Sequence, residues 1–319
     1  MHAWPGSAME GSPQTQQASA DDVLISLLEP VVVAGREGLT PTAEQVARGR
    51  AQAALMRTAS PGLLYDQLTR ALCGRHPHRA MEALQDLDLL APILPELEAT
   101  ISFSQEGGRR HKDVWEHTKM VVWQSVPRPT VRWAALLHDI GKVPTRRFLD
   151  EGRVSFHGHA EVGEHMFLQG PLHRLGFPAE IGERVALLIR LHLRPGQWQS
   201  DWSDAALRRF AREAGAGLED LLNLSRADVT SKRPGRRKQC LANISELARK
   251  LRDMKARDAM VEPLPAGMGH VLVQALQQRP GPRIGALKQT LRALCEAGEL
   301  ESGRSPDYYL DALRERALL

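Results

Sequence analysis

Much that would place a chain quickly is scarce here. Three cysteines in 319 residues, Cys73, Cys240 and Cys295, are odd in number and far apart, which excludes both a disulfide framework and a cysteine zinc site. No apolar run approaches the ~18 residues that span a bilayer, so no membrane segment is expected. The opening stretch "MHAWPGSAMEGSPQTQQASADD" lacks the basic-then-apolar order of a signal peptide, and residues 1–20 read as a disordered leader. Aromatic residues make up only 5% of the chain, and no internal repeat is visible. These absences point to a cytoplasmic protein in a reducing compartment. Net charge is +4 and the isoelectric point near 9.1, a mildly basic balance that suits a polyanionic partner without requiring one.

What is present favours helices, since Leu, Ala and Arg dominate and 42% of residues are hydrophobic. Residues 21–105 read as an N-terminal helical unit, with Thr42 as an N-cap for the segment that follows. Residues 106–258 form a central domain, in which "RFLDEGRVSF" turns at Glu151-Gly152 and is the one candidate hairpin. Helical patterns occupy about 159–173, 178–193, 203–214 and 217–230, then "SKRPGRRKQ" interrupts before a long helix at about 239–258. Residues 259–319 read as a C-terminal helical unit. The expected fold is all-α, a helical bundle carrying one small β-hairpin and flanked by helical units on either side.

Eight of the twelve histidines fall between residues 111 and 192, which decides where chemistry should be sought. His117 shares a stripe with Val114 and Val121, and His138 follows Val131 and Ala134. His192 closes the series Ile181, Val185 and Leu188, while Asp228 follows Leu218, Leu221 and Ser225. Four helices thus each carry one ionisable residue on an inward face. A core histidine is usually just a hydrogen-bonded packing residue. A buried carboxylate such as Asp228, however, needs something to offset its charge, and a cation shared with histidines does so. Asp139, beside His138, adds a carboxylate able to bridge to a second ion. Histidine and aspartate without cysteine suit Mn, Fe, Co, Ni or Zn, ions that acidify water and clamp phosphate oxygens. Lys142, one turn beyond His138, is placed either to neutralise a phosphate or to complement the helix dipole.

The motifs "WEHT", "LLHDIGK" and "RADVTSK", with "FHGHAEVG" and "LIRLHLRP", resemble the signature of the HD phosphohydrolase superfamily. The resemblance implies an HD-domain helical bundle with His117, His138, Asp139 and Asp228 at one divalent metal. His159 and His192 would complete a second metal or contact phosphate, and the "GH" context prefers His159 over His157. Mg is a further option for the ion. Roughly residues 60–315 are similar, in motif order, to the HD domain and C-terminal body of bacterial CCA-adding tRNA nucleotidyltransferases. Those enzymes also carry a nucleotidyltransferase head with a paired-glycine strand turn and a two-aspartate site. The first 60 residues hold no such pattern, so nucleotide addition is not carried over. In those relatives the HD domain is associated with metal-dependent 2′,3′-cyclic phosphodiesterase, 2′-nucleotidase and phosphatase activities.

Basic residues adjoin these motifs: Lys232, Arg233, Arg236, Arg237 and Lys238 follow Asp228, Arg190 and Arg194 flank His192, and Arg109 and Arg110 precede His111. They are candidate phosphate or nucleic-acid contacts, against the plainer reading of a solvated loop. Trp123, Trp198 and Trp202 are candidates to stack bases, whereas Trp115 and Trp133 fit the core. The leading expectation is a metal-dependent phosphohydrolase acting on nucleotides or RNA 3′ ends, tRNA among them, with Asp139 orienting or deprotonating water and Lys142 steadying charge. The alternatives are a non-catalytic tRNA-binding or adaptor protein, and a hydrolase of free (deoxy)nucleotides.

Overall fold

The computed structural model describes residues 13–103, 113–149, 154–260 and 262–318. Among the described residues the regular structure is helical apart from one hairpin. The first group of helices comprises α1 (Pro13–Glu37), α2 (Ala43–Gln52), α3 (Pro61–Leu72), α4 (Pro77–Asp86), α5 (Leu90–Ile93) and α6 (Pro95–Glu98). The central group begins with α7 (Val114–Gln124), α8 (Pro129–Leu137) and α9 (Lys142–Thr145). The hairpin follows, formed by β1 (Arg147–Phe148) and β2 (Val154–Ser155), which pair antiparallel with Arg147 opposite Ser155. Its expected turn at Glu151-Gly152 lies outside the described residues. After it come α10 (His159–Gln169), α11 (Pro171–Leu175), α12 (Ala179–Leu191), α13 (Asp204–Ala214), α14 (Leu218–Ala227) and α15 (Pro234–Met260). The chain ends with α16 (Met268–Leu276), α17 (Pro282–Glu296) and α18 (Pro306–Glu315). The fold is therefore the all-α bundle with one small hairpin that the sequence implies. Among the described residues no helix is long and apolar enough to cross a membrane.

Proline punctuates this order. Pro61, Pro77, Pro129, Pro171, Pro282 and Pro306 each open a helix, where a missing N–H costs nothing and φ is already helical. The same rule corrects two expectations. The segment expected as one helix over 159–173 breaks at Gly170 because Pro171 starts a new one. The "SKRPGRRKQ" interruption is shorter than expected, since Pro234 begins α15 and puts Arg236, Arg237 and Lys238 in its first turns. At the other end, α1 begins at Pro13, inside the segment read as a leader. Thr42 does cap α2, in a reciprocal box with Gln45.

Spatial contacts divide the chain into two compact units, one of Met1–Gln199 with Ala216–Ser245, the other of Ser200–Gly215 with Glu246–Leu319. The cut falls inside α15, and α13 groups with the C-terminal helices rather than with residues 106–258.

The first unit is organised around α8. Every residue from Val131 to Leu137 is buried, including Arg132, because α3, α7, α12 and α14 pack on it from all sides. Two polar anchors fix its neighbours. The Arg132 guanidinium donates to the carbonyls of Val122 (2.8 Å) and Val126 (3.2 Å), capping the end of α7 with a cation. Buried Asp220, in the first turn of α14, accepts from Arg128 (3.0 Å) and from Thr130 (2.8 Å) at the start of α8. The C-terminal helices have their own core, in which Met268, Leu272, Leu291, Tyr309 and Leu313 are almost fully enclosed.

Candidate metal centre

The ends of five helices, α8 among them, converge. His138, His192 and Asp228 are the residues that immediately follow α8, α12 and α14, while His117 sits in the first turns of α7 and His159 is the first residue of α10. Helix termini deliver these side chains because the last apolar turn is locked in the core while the next residue leaves the helix. Gly158 takes a left-handed conformation (φ 75°) just before α10, which aims His159 inward, whereas His157 is exposed.

Asp139 is the centre of the arrangement. Its Oδ2 lies 3.2 Å from His138 Nε2 and 3.4 Å from His117 Nε2, while its Oδ1 lies 3.5 Å from His159 Nε2. His138, Asp139, His159 and His192 are all buried. Two sets could each hold an ion: His117, His138 and Asp139, and Asp139, His159 and His192, with the carboxylate common to both. Asp228 stands beside the first set, its Oδ1 3.0 Å from His117 Nε2 and 3.7 Å from His138 Nε2.

The protons on the rings follow from their partners. Nδ1 of His138, His159 and His192 faces the backbone carbonyl three residues back, of Ala135 (2.9 Å), Phe156 (2.8 Å) and Ile189 (2.7 Å). A carbonyl only accepts, so each Nδ1 carries hydrogen and each Nε2 is turned inward, the atom that could ligate a cation. His117 Nδ1 shares a hydrogen bond of 3.0 Å with Thr230 Oγ1. The Nε2 atoms are crowded, 3.3 Å between His117 and His138 and 3.2 Å between His159 and His192. Inward lone pairs facing one another across a buried carboxylate are a donor set that fits divalent cations.

The electrostatics are those of a cavity that wants positive charge. Burial alone would raise the Asp139 carboxyl, but the charges of His138 and Lys142 outweigh it and hold it well below the usual range. Asp228 behaves likewise, with burial overcome by its hydrogen bond to His117 and the charge of His138. Burial disfavours protonated His138, yet the neighbouring Asp139 and Asp228 raise its pKa overall. His192 is pushed down to about 4 by burial and by His138, and burial also lowers His159.

Lys142 donates to Asp139 Oδ2 at 2.7 Å, so its ammonium lies against the shared carboxylate. Gly141 before it has an ordinary helical φ of −68°. Its smallness serves packing, because a Cβ there would collide with the His159 carbonyl and with Gly163 N. The basic residues lie on the surface: Lys232, Arg233, Arg236, Arg237 and Lys238 are exposed, Arg190 is 3.6 Å from Glu164, and Arg194 is half-buried. Arg109, Arg110 and His111 lie outside the described residues. Trp115 and Trp133 are core residues as expected, but Trp198 is buried too, and Trp202 packs on Phe210. Of these five tryptophans Trp123 stands out at 52% exposed. Sequence reasoning missed Thr230, although "DVT" places it two residues after Asp228, and it missed Arg132 and Asp220 altogether.

Residues 110–260 match the model for the HD domain, and residues 39–101 match that for the "Probable RNA and SrmB- binding site of polymerase A". The A-adding tRNA nucleotidyltransferase of Deinococcus radiodurans is 35% identical over 249 residues, covering 76% of this chain and 55% of that protein. The CC-adding tRNA nucleotidyltransferase of Thermus thermophilus is 35% identical over 250 residues, covering 75% and 54%. The chain thus spans about half the length of these relatives. A crystal structure of Bacillus stearothermophilus CCA-adding enzyme in complex with CTP aligns with a TM-score of 0.49 at 17% identity, over 96% of this chain and 65% of that one.

Proposed function

Since the chain carries an HD domain and is homologous to tRNA nucleotidyltransferases over about three quarters of its length, we propose that it is a metal-dependent phosphohydrolase of 2′- and 2′,3′-cyclic phosphate ends of nucleotides or RNA. The observation that carries this reading is the buried Asp139 carboxylate with histidine Nε2 atoms facing each of its oxygens. His117, His138, Asp139 and Asp228 would hold one cation, and Asp139, His159 and His192 a second. Mn, Fe, Co, Ni, Zn or Mg would supply Lewis acidity toward phosphate oxygens and acidify water.

The chain's own residues supply the rest. Asp139 accepts a hydrogen bond from the attacking water and orients or deprotonates it; the strongly ionised state of its carboxyl suits the orienting role better than that of base. Lys142, already against Asp139, holds a phosphate oxygen and the negative charge that grows there. The exposed cations from Lys232 to Lys238, with Arg190 and Arg194, attract the polyanionic substrate. RNA is favoured over free nucleotides by the match of residues 39–101 to an RNA-binding model.

The test is direct. Metal-stripped protein is given each ion in turn and assayed on 2′,3′-cyclic AMP, 2′-AMP and a general phosphodiester reporter. Metal-restored hydrolysis that His138→Ala abolishes is expected; no hydrolysis with any ion would falsify the reading. A second reading, a tRNA-binding adaptor without catalysis, draws on the same match and the exposed basic stretch. Salt-sensitive tRNA binding by a chain without metal or hydrolysis would favour it.

A further inference from the structure

An open groove of about 360 Å³ lies next to the metal centre, between the end of α7, the end of α14 and the start of α15. Trp123, Gln124, Arg226, Ala227, Arg237 and Leu241 line it. Its floor is built: the Gln124 amide donates to the Ala227 carbonyl (2.8 Å) and its oxygen accepts from the Arg237 guanidinium (2.9 Å). Trp123 forms a wall, braced edge-on by the His78 ring at 6.1 Å and otherwise half exposed. The half-exposed indole offers a stacking face, and the guanidinium groups of Arg226 and Arg237 lining the same groove favour an anion over a second cation. A base stacked on the indole, with its phosphate on the guanidinium groups, satisfies both.

The groove's place along the helices says which base. Ala227 immediately precedes Asp228, and Gln124 lies seven residues beyond His117, two turns along the same face of α7 and about 10 Å away. The base on a ribose whose phosphate met the candidate ligands would lie nearer to them than that rise, which leaves the groove to the neighbouring nucleotide.

We propose that the groove is a subsite for the nucleotide next to the reacting end of an RNA strand, with Trp123 stacking its base and Arg237 and Arg226 holding its phosphate. This rests on reading the metal centre as a phosphate-ester site, and it deepens that reading: the substrate is an RNA terminus rather than a mononucleotide.

Binding of a labelled RNA hexanucleotide with a 3′-hydroxyl end, which offers no reacting phosphate, is measured on the metal-stripped full chain beside binding of AMP. Trp123→Ala should weaken the hexanucleotide at least about fivefold and narrow its advantage over AMP, while Trp123→Phe keeps most of the affinity. Rescue by phenylalanine separates lost stacking from a folding defect. Arg237→Gln should lower the slope of affinity against salt by about one phosphate contact. Hexanucleotide binding by Trp123→Ala and Arg237→Gln at wild-type strength overturns the subsite, even where cyclic phosphate is hydrolysed. Loss of RNA binding in Trp123→Ala with no hydrolysis under any ion keeps the subsite and removes the hydrolase reading instead.

Discussion

The Nε2 atoms of His159 and His192 face each other at 3.2 Å, and the Nδ1 of each ring is turned onto a backbone carbonyl. His117 and His138 likewise stand Nε2 to Nε2 at 3.3 Å on the other side of Asp139, but only His138 turns its Nδ1 onto a carbonyl, while that of His117 meets the Thr230 hydroxyl. Two like pairs around one carboxylate are the arrangement from which the consequences below follow.

Sharing makes the ligands unequal. Asp139→Asn takes the negative charge and one ligating oxygen from the residue common to both sets, whereas His192→Ala removes a ligand from the second set only. Elemental analysis should find little metal in Asp139→Asn and about one ion fewer in His192→Ala. Turnover in Asp139→Asn should fall by about two orders of magnitude or more. Unchanged metal content in Asp139→Asn would sink the shared-carboxylate arrangement.

Thr230 lies outside both candidate ligand sets but meets His117 at Nδ1. Thr230→Val, nearly equal in volume, should weaken metal affinity about 10- to 100-fold with little change in melting temperature. Isothermal titration with Mn would show it, and wild-type affinity would mean that His117 is oriented by packing alone.

Metal and proton compete for His138 Nε2. Because Asp139 and Asp228 raise the pKa of that ring despite its burial, its proton is held more firmly than on a free imidazole. Lower pH adds the competitor, so apparent metal affinity should fall as pH falls, by up to tenfold per unit where one proton is displaced. Affinities measured at pH 6, 7 and 8 that do not rise in that order contradict this.

Arg132→Met preserves much of the side-chain bulk but leaves the carbonyls of Val122 and Val126 without their buried donor. Unfolding in urea should show a loss of about 1–3 kcal/mol. A change within a few tenths of a kcal/mol would mean that water replaces the guanidinium.

Gly141→Ala drives a methyl group into the His159 carbonyl and Gly163. About 1–3 kcal/mol of stability should be lost as α9 and α10 separate, with weaker binding at the set containing His159. A stable variant that binds metal normally would show that the contact yields easily.

Several parts of this molecule were legible one segment at a time. Thr42 announces α2 because capping is local, and the 3.6-residue period puts His138, His192 and Asp228 at the ends of core-facing stripes. The hairpin could be read because alternation and turn residues also act over a few positions. Trp198 could not: it sits among polar neighbours in sequence and is buried only because of what packs over it. The start of α15 was misplaced because the basic run outweighed Pro234, although proline at a first helical position is a start signal.

By itself, the sequence determined the helices, their inward faces and the kinds of side chain at their ends, since periodicity, caps and proline depend on neighbours in the chain. The tertiary structure alone decided that Asp139 faces histidines with both oxygens, that Thr230 meets His117, and that Gly141 must stay small. It also left Trp123 half exposed beside Arg237. Those relationships join residues on different helices, and the packing around α8, which no local pattern encodes, sets their distances.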